Sequence, residues 1–192
     1  MTDANPLHRL KRLSRPIAVL LSIALALLVL VEVPAIVAIL FFFDGDGAWR
    51  AAVSFSEVGV NLAIFASGDP VRAVPLDALG FGQRSAIAAL AALCAACGGL
   101  AIFHLRQLFA LYSRGIVFAA ENIRHIKRFG LWLVVAGIAI NGSGRVFFLV
   151  TSHHPDSIAN AAMAIVYGGM TFAIARVMEL GREADLERNA FV

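Results

Sequence analysis

Residues Ile17–Phe43 read IAVLLSIALALLVLVEVPAIVAILFFF, and this stretch decides what kind of protein the chain is. About 20 mostly apolar residues suffice, as helix, to cross the ~30 Å hydrocarbon core of a bilayer. The run is longer than that, begins just after Arg9, Lys11, Arg12 and Arg15, and is ended by Asp44-Gly45-Asp46-Gly47. A cleavable signal sequence has an apolar core of only about 7–15 residues with a small-residue cleavage site close behind it. Neither feature fits, so the stretch reads as an uncleaved signal anchor, long enough to be tilted or kinked at Pro34.

Three more such blocks follow, at about 85–103, 129–150 and 158–177. They account for the composition: 60% hydrophobic and 15% charged over 192 residues, with a mean hydropathy of +0.82. A soluble domain carries about 25% charged residues. The fold class read from this is an all-α membrane protein, a four-transmembrane-helix bundle forming a single membrane domain over 1–192. A net charge of +3 does not point to nucleic acid. The basic residues gather at helix ends, where they set topology.

Their distribution orients the chain. The N-terminal tail, the 104–128 connection (Arg106, Arg114, Arg124, Lys127, Arg128) and the 178–192 tail region with Arg176, Arg182 and Arg188 hold twelve basic residues on one side. The other side has Arg50, Arg72 and Arg84. Basic residues favour the cytoplasm, so the expectation is a bacterial inner-membrane, multi-pass protein with both termini inside and the 44–84 loop outside.

The 44–84 loop suggests a small external cap. Val60–Phe65 and Val71–Val74 resemble two short strands around Ser67-Gly68-Asp69-Pro70, with an ordered loop as the alternative. On the cytoplasmic side, Leu105, Leu108, Phe109 and Tyr112 fall on one helical stripe, so the second helix extends beyond its span. Arg114-Gly115 breaks it, and a new helix begins near Glu121-Asn122 and runs into the third span. The fourth helix extends too, with opposite charges at Glu179–Arg182, Arg182–Asp185 and Asp185–Arg188 at i,i+3 spacing.

Candidate functional residues are few. Glu32 lies near the middle of the first span, where a charge is expensive and usually faces a partner or a water pocket. Arg145 and Asn141 on the third span lie at matching depth, counted at 1.5 Å per residue. An intramembrane polar site of Glu32, Arg145 and Asn141 follows, with Arg145 snorkelling outward as the alternative. A partner or lipid surface is expected on the cytoplasmic side from Arg106, Arg114, Glu121, Asn122, Arg124, Lys127, Arg128 and Arg182. Cys94 and Cys97 form a C-x-x-C, but a membrane thiol oxidoreductase needs a relay partner and the chain has no other cysteine. They read as small core residues. No two histidines face each other at mid-membrane, so a haem ligated by two histidines is disfavoured. His153, His154 and Asp156 read as an external turn rather than a metal site. No nucleophile–base arrangement or phosphate loop is present, so no cofactor and no enzymatic activity are expected. Small residues recur at four-residue spacing in Ala88/Ala92/Ala96, Ala91/Ala95/Gly99, Ala164/Gly168 and Gly169/Ala173. Such rows allow close helix approach, or dimerisation.

Leu108–Phe118 (LFALYSRGIVF), Glu121–Gly130 (ENIRHIKRFG), Val177–Glu183 and Asn189–Val192 resemble a bacterial membrane family catalogued as domain-of-unknown-function family 2975. The likeness is specific in those segments and otherwise one of layout. Ala119 departs from the pattern, which usually has Ser or Thr as a cap there, so the cap should be weaker. The resemblance implies a four-helix membrane protein whose relatives are often encoded beside a small helix-turn-helix regulator. The expected function is therefore a sensor or regulatory protein acting through its cytoplasmic helices on such a partner. Its alternatives are an accessory subunit of a larger membrane complex and a small transporter or channel using Glu32 and Asn141. Expected partners are the bilayer, then the regulatory protein, a second copy or a membrane complex; direct nucleic-acid binding is not expected.

Overall fold

A computed structural model describes residues 6–41, 49–56, 59–66, 74–116, 119–153 and 159–190. Four long helices pack as a bundle, with a small antiparallel sheet between the first two in chain order. They are α1 (Pro6–Phe41), α2 (Phe81–Ser113), α3 (Ala120–Thr151) and α4 (Ala159–Ala190). The shortest has 32 residues, or about 48 Å at 1.5 Å per residue. That exceeds the ~30 Å apolar core of a bilayer, so helix continues past each span, as expected for α2, α3 and α4; α1 begins at Pro6, eleven residues before the expected Ile17. All four contain a stretch long and apolar enough to cross a membrane. Side chains such as Leu30, Ile138, Leu149, Tyr167 and Val177 lie exposed on the helices. In a bilayer these are lipid-facing. α1 and α4 are the less buried helices, α2 and α3 the more buried.

The chain divides into two compact units, residues 28–97 with 135–164, and residues 1–27 with 98–134 and 165–192. The first contains the sheet. Strands β1 (Trp49–Ser56), β2 (Gly59–Ala66) and β3 (Val74–Pro75) are ordered β2-β1-β3. β1 pairs with β2 through Ala51–Ile64, Val53–Leu62 and Phe55–Val60, and with β3 through Val53–Val74. This corrects the expected hairpin: β2 pairs with β1, not with the Val71–Val74 stretch, and the Ser67–Pro70 turn lies outside the described residues. Residues two apart share a strand face, so Ala51, Val53 and Phe55 point together into a core with Val60, Val74, Leu76 and Leu79. Ile39 of α1, Ile87, Ala88 and Ala91 of α2 and Phe147 of α3 complete it. The Phe55 and Phe147 rings lie 5.7 Å apart.

At the end of α3 in this unit, the Gln83 side-chain amide donates to the Val150 carbonyl at 2.9 Å, while its oxygen accepts from the Gly80 amide at 3.0 Å. One residue thus closes the start of α2 and satisfies a carbonyl that the helix end leaves open.

The second unit carries the α2–α3 connection. Helix α2 ends in a Schellman motif. Gly115 N–H donates to the Tyr112 carbonyl at 2.9 Å and Ile116 N–H to the Leu111 carbonyl at 3.2 Å, with Gly115 at φ 82°. That left-handed conformation is why the break needs glycine. Ala119 offers no side-chain cap. The Asn122 amide instead donates to the Ile116 carbonyl at 2.6 Å, and Asn122 is fully buried. A small core of Leu108, Ile123, Ile126 and Ala175, flanked by Leu105, Tyr112 and Met178, joins α2, α3 and α4 here. Gly130 and Gly168 let α3 and α4 touch backbone to backbone. A Cβ on Gly168 would fall 2.8 Å from the Gly130 carbonyl oxygen and 2.6 Å from a Val134 methyl. The Ala164/Gly168 row is therefore used inside the bundle. Gly169, by contrast, faces open space.

Candidate functional site

The charged residues expected at the surface cluster in the second unit, around the start of α3 and the end of α4. Lys127 Nζ donates to Glu179 at 2.6 Å, and Arg176 to the other carboxylate oxygen at 3.2 Å. Two donors hold the Glu179 carboxyl below the usual glutamate range, Lys127 contributing most and Arg176 next. Beside this trio is an open cavity of about 330 Å³ lined by Ala120, Ile123, Arg176, Glu179, Arg182 and Glu183. Arg182 is half-buried there, while Arg114, Glu121, Arg124 and Arg128 are exposed. The arrangement offers fixed charges of both signs and a short apolar floor.

Two residues expected on that surface serve the interior instead. Asn122 is the loop tie already described. Arg106 is half-buried and its Nε donates to Ser22 Oγ of α1 at 2.6 Å, while Ser22 donates to the Ala18 carbonyl at 2.8 Å. An arginine near the end of a span thus finds a hydroxyl acceptor on a neighbouring helix.

The sequence reading missed a pair of histidines in the same unit. His104 of α2 and His125 of α3 meet with their Nδ1 atoms 3.3 Å apart and ring centroids 5.5 Å apart. His104 is buried and His125 half-buried. A signal was available: the two lie eleven residues before and ten after Gly115, which is where an antiparallel helical hairpin brings side chains opposite one another. Burial pushes the His125 imidazole below its ordinary value; Glu121 opposes this, and Arg128 and Arg124 reinforce it.

The intramembrane trio does not assemble. Arg145 is exposed and makes no ion pair with Glu32 among the described residues. The Asn141 amide donates to the Gly137 carbonyl of its own helix at 3.0 Å. Equal depth fixes a height along the helices, not the direction a side chain faces. Glu32, half-buried, is an electrostatic neighbour of Cys94 instead. The Cys94 thiol donates to Ser143 Oγ at 3.7 Å, and both cysteines are free thiols.

His153 is exposed, with Nδ1 2.8 Å from the Thr151 carbonyl oxygen; His154 and Asp156 lie outside the described residues. Among the described residues, no three His, Cys, Asp or Glu side chains converge as metal ligands would. No family model, curated protein or solved structure matches the chain.

Proposed function

We propose that this is a non-enzymatic bacterial inner-membrane protein that regulates a soluble partner through the charged ends of α2, α3 and α4. The orientation follows the basic residues: both termini and the 104–128 connection face the cytoplasm and the 44–84 loop faces outside. The observation that carries the reading is the cavity beside Glu179, where Arg176, Arg182 and Glu183 stand around the apolar Ala120 and Ile123. Charges held by helices past the end of a span give a rigid, directional surface. Such complementarity governs specificity and encounter more than raw affinity. Kinship with domain-of-unknown-function family 2975, on the Leu108–Phe118 and Glu121–Gly130 segments, would make a small helix-turn-helix regulator the partner.

The experiment has two arms. With Cys94 and Cys97 changed to Ala, an impermeant thiol reagent added to spheroplasts should label Ala78→Cys and spare Arg124→Cys. Labelling of Arg124→Cys from outside would sink the orientation. Mild-detergent purification should then recover a soluble DNA-binding protein with the native chain and lose it with Arg176→Glu/Arg182→Glu. Recovery of a stable membrane complex in its place would favour the accessory-subunit reading.

A further inference from the structure

The His104–His125 contact is the only described place where two titratable rings from different helices meet. Nδ1 atoms 3.3 Å apart can share one N–H, which one ring donates and the other accepts. They cannot share two. With both rings protonated, two donors point at each other across that gap, and two like charges confront one another in a partly buried site. Other charged groups acting on the rings are Glu121, Arg124 and Arg128, all on α3. Among the described residues no charged group of α1 or α4 acts on either ring. Arg128 acts on both rings and disfavours the second proton on each; on His125, Glu121, exposed and one turn earlier, acts in the other direction more strongly than either Arg128 or Arg124, against the larger effect of burial.

The position gives the proton a mechanical consequence. The pair sits one turn from Leu108 and one residue from Ile126, two members of the small core that joins α2 to α3 and α4. The loop beyond it is held by Gly115 and by Asn122. Separating the two rings therefore loads the α2–α3 hairpin that bears Arg114, Glu121 and Arg124.

We infer that His104 and His125 are a proton-sensing couple. Sharing one proton they clamp α2 to α3, and on acidification the second proton drives the two helices apart at the hairpin. The inference deepens the proposed function by naming the proton as a signal, and rests on that reading only for the compartment sensed and the output.

The test uses the full chain in nanodiscs. Histidine-labelled ¹⁵N NMR should show two of the five histidines titrating as a coupled pair, in two steps separated by more than about one pH unit. In parallel, amide exchange over residues 105–126, corrected for intrinsic rate, should accelerate between pH 7.5 and 5. One coupled proton permits at most about a tenfold change per pH unit. His104→Gln, which retains a hydrogen-bonding side chain but does not titrate there, should abolish that pH dependence. Independent ordinary titration of all five histidines would overturn the inference, and so would an equal pH response in the variant. Stoichiometric zinc binding at neutral pH that abolishes the shared-proton signal would overturn it too, by making a metal ion the occupant. Should His104→Gln not fold, the native chain's titration decides alone. None of these readouts needs a partner, so failure of partner capture is separable from failure of the couple.

Discussion

The two units of this protein are held together by different chemistry. In the sheet unit, Ala51, Val53 and Phe55 of one strand interdigitate with Ile39, Ile87 and Phe147 of three helices. In the second unit the described core cluster is smaller, made of Leu108, Ile123, Ile126 and Ala175. Much of what links its helices is polar: His104 to His125, Arg106 to Ser22 and Lys127 to Glu179. Apolar packing is non-directional, does not titrate and is not screened by simple salt as charges are. Polar links depend on protonation and ionic strength, and they fix which helices meet. The difference separates a unit with an apolar core from one linked largely by titratable and charged groups.

The largest effect should come from the apolar side of this contrast. Phe147→Ala removes the ring against Phe55 and opens a void in the apolar core of that unit. Large-to-small changes of this kind cost about 3–5 kcal/mol in well-packed cores. Unfolding in detergent should show a loss of that order, unchanged between low and high salt. A loss below about 1 kcal/mol would mean the sheet is not packed on the helices as described.

A smaller effect should appear where α3 meets α4. In Gly168→Ala the new methyl meets the Gly130 carbonyl oxygen and Val134. Overpacking of this sort costs about 1–3 kcal/mol. Gly169→Ala meets nothing and gains helix propensity, so it should be neutral or slightly stabilising. Equal effects at the two positions would erase the distinction between the inner and outer rows of α4.

The contrast between the units also marks what the sequence could disclose. Hydropathy announced all four helices, and Arg114-Gly115 announced the break, because each signal is local. Strand β1 was not visible: Trp49-Arg-Ala-Ala lacks the β-branched alternation of Val60–Phe65, and its burial comes from having β2 on one side and β3 on the other. Asn122 looked like a surface polar residue, since only the closed loop supplies the Ile116 carbonyl it ties. The Glu32–Arg145 pairing rested on depth alone and failed on direction. The histidine pair needed the hairpin at Gly115 as the origin for counting, whereas the sequence reading searched for histidines opposed at mid-membrane. Non-local partners are what a periodic pattern leaves out.

The smallest predicted effect is at Glu179. Its carboxylate takes one hydrogen bond from Lys127 and one from Arg176, but the Arg176 side chain is largely exposed and that of Lys127 nearly half exposed, and exposed ion pairs are weak and screened by salt. Glu179→Gln should therefore cost little at low salt and less at high salt, the reverse of the salt indifference expected for Phe147→Ala. The pH dependence has a definite sign. The folded-state pKa of Glu179 is depressed, so its contribution is present above the ordinary glutamate value and is lost as pH falls through the lower folded value. The native chain and Glu179→Gln should thus differ near neutrality and converge in acid. Acid also protonates the histidine pair, and the two effects separate in the two single variants. Glu179→Gln removes the carboxylate step and leaves the histidine step in place; His104→Gln does the opposite. A salt-independent Glu179→Gln loss as large as that of Phe147→Ala would show that the charged unit is as rigidly built as the sheet unit, and the contrast between their chemistries would fall.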